Sequence, residues 1–121
     1  MTILLIRHGQ SQTNLTNTFA GQWAEVELTE LGREQARLTA EYVKEKYAVD
    51  MIYSSDLTRA VQTAMPLSML CETPVLMEKG LRELDVKKWQ GRSYEWIAAH
   101  YPAEYAVFQN DFGAFRVPGC E

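Results

Sequence analysis

A histidine beside an arginine, at the end of an apolar run, is the pattern in this sequence best suited to chemistry. Residues 3–6 are all aliphatic, and Arg7, His8 and Gly9 follow directly. An imidazole can act as a nucleophile, and the planar guanidinium binds an oxyanion through two parallel hydrogen bonds. Gly9 has no Cβ, so the backbone can turn sharply and approach a ligand closely. These residues predict a phosphoryl ligand, with a purely structural histidine as the alternative.

Two further polar clusters each follow an apolar run. Arg59 lies where a helix is expected to begin, and a cation there is disfavoured by a few tenths of a kcal/mol by the helix dipole. A phosphate bound at the same helix end would reverse that balance, whereas the alternative is a surface arginine paired with Asp56. In the third cluster, Glu83 could donate a proton if burial favoured its neutral form. The alternative for Glu83 is a solvated surface carboxylate.

The elements that position these residues can be read from hydrophobic periodicity. Ile3–Ile6 shows no alternation, which is typical of a strand buried on both faces. Thr29 is expected to cap a helix from Glu30 to Tyr47, with its charged residues on a solvated face. Asp56 is expected to cap the next helix, which Pro66 should kink or divide. Two further strands are predicted, Val49–Ser55 and Pro74–Met77.

The alternation of strands and helices predicts a mainly parallel sheet with right-handed crossovers. Ligands of such sheets bind outside the carboxyl ends of the strands, so Arg7, His8 and Arg59 are expected to converge there. Further along, Ser93 is expected to cap a short helix, and Pro102 to begin another.

Length and composition restrict the class of protein. The 121 residues suit a single domain, and the net charge of −4 with dispersed Lys and Arg argues against nucleic-acid binding. Cys71 and Cys120 match no metal-ligand spacing. No stretch approaches the ~20 apolar residues of a membrane span. These features predict a reduced, cytoplasmic protein that binds neither nucleic acid nor membrane.

Taken together, the clusters resemble the histidine phosphatase superfamily, the phosphoglycerate mutase-like proteins. The resemblance implies a three-layer α/β fold, a mainly parallel sheet with helices on both faces, in one domain over residues 1–121. It rests on four motifs in family order. They are Arg-His-Gly-Gln-Ser-Gln-Thr-Asn at 7–14, Leu-Thr-Glu-Leu-Gly at 28–32 with Gln-Ala at 35–36, Ser-Ser-Asp-Leu-Thr-Arg at 54–59 with Thr-Ala at 63–64, and Leu-Arg-Glu-Leu-Asp at 81–85 with Trp-Gln-Gly at 89–91.

The resemblance also implies a role for each matching residue. His8 is implied as the nucleophile that becomes phosphohistidine, Arg7 and Arg59 as the phosphate clamp, and Glu83 as the general acid. It implies no metal and no cofactor, and a small phosphorylated substrate or inorganic phosphate as the ligand. Phosphate or substrate contacts are further implied for Ser11, Asn14, Gly21 and Gln22.

The chain also departs from the family pattern. Family members carry a second active-site histidine in a later Ser-His-Gly-like turn, whereas the other histidine here is His100, predicted to be a helix-terminal or packing residue. Val117–Glu121 resembles the family's Pro-Gly-Gly-Glu-Ser segment, so the chain resembles the N-terminal part of a longer protein. Lys87 stands where many relatives have glycine, which leaves the backbone path beside Glu83 in question.

The family strand that carries the second histidine lies between the first two strands of this sequence. Its absence predicts a gap with unpaired backbone groups. We expect the gap to be filled by a second copy or by a C-terminal segment, or to be closed by rearrangement.

Three functions remain open at this point. The leading prediction is a phosphatase that hydrolyses small phosphomonoesters through a phosphohistidine on His8. The second is a cofactor-dependent phosphoglycerate mutase, an isomerase; the short Trp89–Gly91 segment favours the phosphatase. The third is a catalytically inactive fragment that only binds phosphate.

Overall fold

A computed structural model describes residues 1–111, so the motif predicted at Val117–Glu121 and the thiol of Cys120 lie outside the described residues. The chain divides into two compact units. The first comprises Met1–Gln12 and Ala24–Arg82, and the second comprises Thr13–Trp23 and the chain from Glu83 onward.

The first unit is built on a parallel two-stranded sheet covered by helices. Strand β1 (Ile52–Ser54) pairs with β2 (Val75–Met77), with Ile52 opposite Val75. Helix α2 (Glu30–Lys46) precedes β1, and α3 (Thr58–Cys71) connects β1 to β2. The short helix α1 (Gln12–Leu15) has only its first residue in this unit. The core of this unit consists of Ala40, Val43, Ile52 and Leu67.

The helix termini largely follow the sequence prediction. Thr29 caps α2, and its hydroxyl accepts a hydrogen bond from the Gly32 amide at 3.0 Å. Helix α3 continues through Pro66 to Cys71, so Pro66 does not divide the helix, and a kink there stays a prediction. Its C-cap, Glu72, has a φ of +50°, a left-handed conformation that favours glycine.

The first predicted strand is not formed. Residues 3–6 belong to no strand, and their side chains are exposed, Ile3 by 70% and Leu5 by 93%. The prediction of burial on both faces was therefore wrong for this chain. The physical reason is that, among residues 1–111, no strand pairs with this segment through backbone hydrogen bonds. Direct pairing of residues 3–6 with β1 was one of the predicted ways to close the gap in the sheet. This pairing is excluded within residues 1–111, where β1 pairs only with β2.

The second unit has an aromatic core. Trp89 is completely buried, and the rings of Phe19 and Trp89 meet edge to face with centroids 5.2 Å apart. Val86 and Ile97 complete the buried cluster. Two 3₁₀ turns, Lys79–Leu81 in the first unit and Lys87–Trp89 in the second, precede helices α4 (Tyr94–His100) and α5 (Pro102–Asn110).

The predicted starts of α4 and α5 are confirmed. Ser93 caps α4 by accepting a hydrogen bond from the Trp96 amide at 3.0 Å, and Pro102 occupies the first turn of α5. His100 ends α4 and stacks on Trp96 with ring centroids 4.0 Å apart, as expected of a helix-terminal packing residue. Within residues 1–111, no helix is long and apolar enough to cross a membrane.

Candidate active site

The side chain of His8 is fixed by the backbone of its own loop. Its Nδ1 lies 2.6 Å from the carbonyl oxygen of Gly9, and the ring is half-buried. A carbonyl oxygen can only accept a hydrogen bond, so Nδ1 must carry the proton in this contact. The lone pair of the neutral imidazole is then on Nε2. This is the tautomer required of a nucleophile that attacks through Nε2.

The His8 loop, defined here as residues 8–11, packs on the first turn of α2 through two glycines. A Cβ placed on Gly9 would lie 2.4 Å from the carbonyl oxygen of Gly32. A Cβ placed on Gly32 would lie 2.0 Å from the carbonyl oxygen of Gln10. Gly9 is therefore required by backbone packing against α2, and its approach to a ligand stays a prediction.

Polar contacts hold the same loop against α2. The Gln10 carbonyl accepts the Thr29 amide at 2.9 Å, and the Gln10 amide donates to Oε1 of Gln35 at 2.9 Å. Ser11 forms an isolated antiparallel bridge with Leu28 and is fully buried. The loop that follows His8 thus has its backbone groups bonded to the segment that begins α2.

Helix α3 holds the loop from another direction and carries Arg59. The Gly9 amide donates to Oγ1 of Thr63 at 3.1 Å, and the same hydroxyl donates to the Arg59 carbonyl at 2.8 Å. Arg59 is the second residue of α3, as predicted, and is only 2% exposed. The alternative of a surface arginine paired with Asp56 is therefore wrong. A buried cation in the first turn of a helix opposes the helix dipole, and an anion bound there would offset that cost.

Asp56 does not cap α3, as the sequence had suggested. Leu57 is the N-cap residue and makes no side-chain capping bond. The carboxylate of Asp56 instead accepts two hydrogen bonds from Arg82, from Nε at 2.6 Å and from Nη2 at 2.5 Å. This bidentate pair joins the turn after β1 to the chain after β2, and its hydrogen bonds hold the pKa of Asp56 below the ordinary value of 3.8. The capping prediction failed because a better-matched donor lies 26 residues away.

Arg7 and Arg59 differ sharply in environment. Arg7 is exposed and is bonded to no other residue in the range 1–111. Arg59 is buried in the same unit. Of the predicted site residues, the first unit therefore contains Arg7, His8, Ser11 and Arg59.

The remaining predicted site residues belong to the second unit. Gly21 is buried with a φ of +51°, and a Cβ there would lie 2.5 Å from Cγ2 of Val86. The Gln22 amide group donates to the Glu83 carbonyl at 3.2 Å. These contacts give Gly21 and Gln22 structural roles within the second unit, and their contacts with phosphate or substrate stay predictions. Asn14 is exposed.

Glu83 does not meet the condition set for it by the sequence argument. Its side chain is exposed, and its carboxylate accepts a hydrogen bond from the Leu84 amide at 2.9 Å. Burial, which would have favoured the neutral form, is therefore absent in the described part of the chain. The charged residues of this loop remain in contact with solvent.

Lys87 adopts the backbone conformation that glycine favours, although it is not glycine. Its φ is +46°, a left-handed conformation that a non-glycine residue adopts at a cost of roughly 1–2 kcal/mol. Asp85 offsets part of this cost, because its carboxylate accepts the Lys87 amide at 3.1 Å and pairs with Nζ at 2.8 Å. The backbone thus keeps a glycine-type turn without glycine.

Three residues that organise the site received no role from the sequence. Thr63 was visible only as part of a motif, although its position four residues after Arg59 is the spacing at which a hydroxyl reaches the preceding turn's carbonyl. The roles of Gln35 and Arg82 depend on contacts 25 and 26 residues away along the chain. No local pattern indicates such contacts.

The chain is similar in sequence to a protein family and to individual known proteins. The model of the histidine phosphatase superfamily (branch 1) matches residues 3–121. Phosphoglycerate mutase-like protein 4 of Arabidopsis thaliana is 32% identical over 118 residues, which make up 97% of this chain and 51% of that protein. Glucosyl-3-phosphoglycerate phosphatase of Mycolicibacterium vanbaalenii is 34% identical over 109 residues, 90% of this chain and 48% of that protein.

A solved structure gives the same result at the level of the fold. The mycobacterial glucosyl-3-phosphoglycerate phosphatase in complex with VO3 superposes with a TM-score of 0.80 at 36% identity, covering 86% of this chain and 51% of that one. The predicted α/β class, a parallel sheet with flanking helices, is confirmed. The chain belongs to the histidine phosphatase superfamily. It spans about half the length of the curated relatives it matches.

Proposed function

We propose that this chain carries the nucleophile of a phosphatase that hydrolyses small phosphomonoesters through a phosphohistidine on His8. The observation that carries the proposal is the 2.6 Å contact between Nδ1 of His8 and the Gly9 carbonyl, which directs the lone pair of the neutral ring to Nε2. The similarity to a phosphatase whose structure contains VO3 supports an oxyanion as the ligand.

In the proposed reaction, Nε2 attacks phosphorus in line with the ester oxygen. The N–P bond forms as the P–O bond breaks, and the leaving oxygen takes up a proton. Water then attacks phosphorus, inorganic phosphate departs, and the His8 ring recovers its lone pair. Charge on the equatorial oxygens is stabilised by positioned cations, for which Arg7 and Arg59 are the proposed groups.

Two parts of the proposal rest on the family resemblance rather than on a contact. Glu83 is proposed as the proton donor to the leaving oxygen, and Ser11, Asn14, Gly21 and Gln22 as phosphate or substrate contacts. Ser11 is fully buried in this structure. The reaction as proposed needs neither metal nor cofactor.

A turnover experiment tests the proposal. The chain and its His8→Ala variant are incubated with p-nitrophenyl phosphate, and phosphate binding to each is measured separately by calorimetry. Turnover by the unmodified chain that disappears in the variant supports the proposal. Equal turnover by both forms would show that His8 is not the nucleophile.

A second function is favoured by the half-length match to the curated relatives. A chain that contains His8 and Arg59 but only part of the family's residues could bind phosphate without turning over a substrate. Phosphate binding without turnover, in the same experiment, would establish this function. The mutase alternative has weaker support, because two of the three proteins compared are phosphatases.

The exposed apolar segment at residues 3–6 leads to a proposal about partners. We propose that this segment pairs with a strand from another polypeptide, either a second copy or one corresponding to the other half of the relatives. A homodimer would elute at about twice 13.9 kDa in size-exclusion chromatography, and Leu5→Lys would return it to a monomer. A stable monomer with protected amides at 3–6 would contradict both versions.

A reduced cytoplasmic location remains a prediction, consistent with the free thiol of Cys71.

A further inference from the structure

One hydroxyl group connects the nucleophile to the helix that carries Arg59. Oγ1 of Thr63 accepts the Gly9 amide at 3.1 Å and donates to the Arg59 carbonyl at 2.8 Å. Gly9 is also the residue whose carbonyl accepts Nδ1 of His8. The chain of contacts therefore runs from the His8 ring through Gly9 and Thr63 to the backbone of Arg59.

We infer that Thr63 is a positioning residue for the proposed reaction, one that sets the place and the tautomer of His8 relative to Arg59. The inference rests on the proposed function for its kinetic consequence. Thr63 touches neither substrate nor reacting atoms in this role. It acts through Gly9, whose two backbone polar groups are bonded to Thr63 on one side and to His8 on the other.

The chemistry of the hydroxyl explains why this residue type suits the position. A hydroxyl can donate one hydrogen bond and accept others at the same time, which valine of nearly equal shape cannot do. The donated bond returns to the carbonyl four residues earlier on the same helix, which fixes the rotamer of the side chain. A fixed rotamer gives the Gly9 amide an acceptor at a defined place. Misplacing a reacting group by about 1 Å can reduce a rate about 100-fold.

The packing of Gly9 and Gln10 on α2 increases the importance of the hydrogen bond between Thr63 and Gly9. Gly9 and Gln10 are confined by Gly32, since a single added Cβ would meet backbone at 2.0–2.4 Å. Without the Thr63 hydroxyl, the loop would keep its contact with α2 and lose this hydrogen bond to α3. We expect the His8 ring to shift relative to α3 while the fold remains.

The experiment compares Thr63→Val, which removes both hydrogen bonds, with Thr63→Ser, which keeps the hydroxyl. Ser68→Ala is the matched control, because it removes a hydroxyl from the other end of α3, where Ser68 donates to the Thr73 carbonyl at 2.5 Å. The rate of phosphohistidine formation, kcat and KM with p-nitrophenyl phosphate are measured for each. The tautomer of His8 is read from long-range ¹H–¹⁵N correlations of its ring.

For Thr63→Val we expect a fall in kcat of roughly 10- to 100-fold with KM little changed, as for a group that acts on the transition state. The Nε2–H tautomer of His8 should become populated in the same variant. Thr63→Ser should recover most of the rate and the Nδ1–H tautomer, and Ser68→Ala should match the unmodified chain. A valine variant with unchanged kcat and tautomer, or a serine variant no better than valine, would overturn the inference.

The two proposals fail in distinguishable ways. If the unmodified chain forms no phosphohistidine, the proposed function fails, and the tautomer comparison still tests Thr63. If the unmodified chain is active and Thr63→Val equals it in rate and tautomer, only the role of Thr63 fails. Should the valine variant not fold, Thr63→Cys takes its place, because a thiol is a weaker donor and acceptor. Its rate should then lie below that of the serine variant, and a rate equal to it would count against the inference.

Discussion

Replacing Gly32 by alanine has two opposite effects on stability, one from the helix propensity of alanine and one from the packing of the His8 loop on α2. Gly32 lies in the first turn of α2, where alanine would ordinarily stabilise a helix by about 1 kcal/mol. The added Cβ would lie 2.0 Å from the Gln10 carbonyl oxygen and 2.9 Å from the Gln10 carbonyl carbon and amide nitrogen. All three are backbone atoms, so no rotamer change can relieve the contact.

The size of the effect follows from these distances. Since real contacts of a Cβ are essentially never shorter than 3.0 Å, the loop must move about 1 Å away from α2. Overpacking of this kind costs typically 1–3 kcal/mol, which exceeds the propensity gain, so we expect a net loss of about 1–2 kcal/mol in the free energy of unfolding. Because His8 lies two residues before Gln10 in the same loop, we also expect phosphohistidine formation to slow about 100-fold.

Urea unfolding followed by circular dichroism gives the stability, and a labelled phosphoryl donor gives the rate. Gly80→Ala is the matched control, because its Cβ would meet first a flexible side-chain atom, Oε1 of Glu78, at 3.2 Å. The control should change stability and rate little. A Gly32→Ala variant that is about 1 kcal/mol more stable, with an unaltered rate, would refute the packing argument.

Three further predictions concern stability. Glu72→Gly should raise the free energy of unfolding by about 1 kcal/mol in urea titrations, because the C-cap of α3 has a φ of +50°; Glu72→Ala should give no such gain. Asp56→Asn should be less stable than the unmodified chain at neutral pH. Because folding lowers the pKa of Asp56, its contribution is present above pH 3.8 and is lost as the pH falls further, so the two stability curves should converge in acid and parallel curves would contradict the pairing. Trp89→Ala should cost about 3–5 kcal/mol by calorimetry, because Trp89 is completely buried in the second unit, and a loss below 1 kcal/mol would contradict that burial.

Local patterns predicted the helices well because their signals are local. Thr29 and Ser93 each stand directly before a helix, and the hydroxyl of each accepts a hydrogen bond from the third amide of that helix. The N-cap preference depends on only a few consecutive residues. The strand at Val75–Met77 lies within the predicted Pro74–Met77 for the same reason. Arg59 was placed correctly in the first turn of α3 from the motif alone.

The failures are those of non-local contacts. The aliphatic run at residues 3–6 has the composition of a central strand, but a strand needs neighbours, and its own sequence cannot supply them. Asp56 has the residue type of an N-cap, yet the Arg82 guanidinium satisfies both of its oxygens. The packing of Gly9 on Gly32, 23 positions further along the chain, was likewise not indicated locally, while its approach to a ligand stays a prediction. Each outcome was decided by a group distant in sequence.

The most direct test of the central claim is the position of the phosphoryl group on the His8 ring. The chain is labelled with a phosphomonoester, and ¹⁵N–³¹P coupling together with peptide mass spectrometry identifies the modified atom. Because Nδ1 is bonded to the Gly9 carbonyl, we predict acid-labile phosphate on Nε2 of His8 and none in His8→Ala. Phosphate on Nδ1, or label that persists in His8→Ala, would contradict the account.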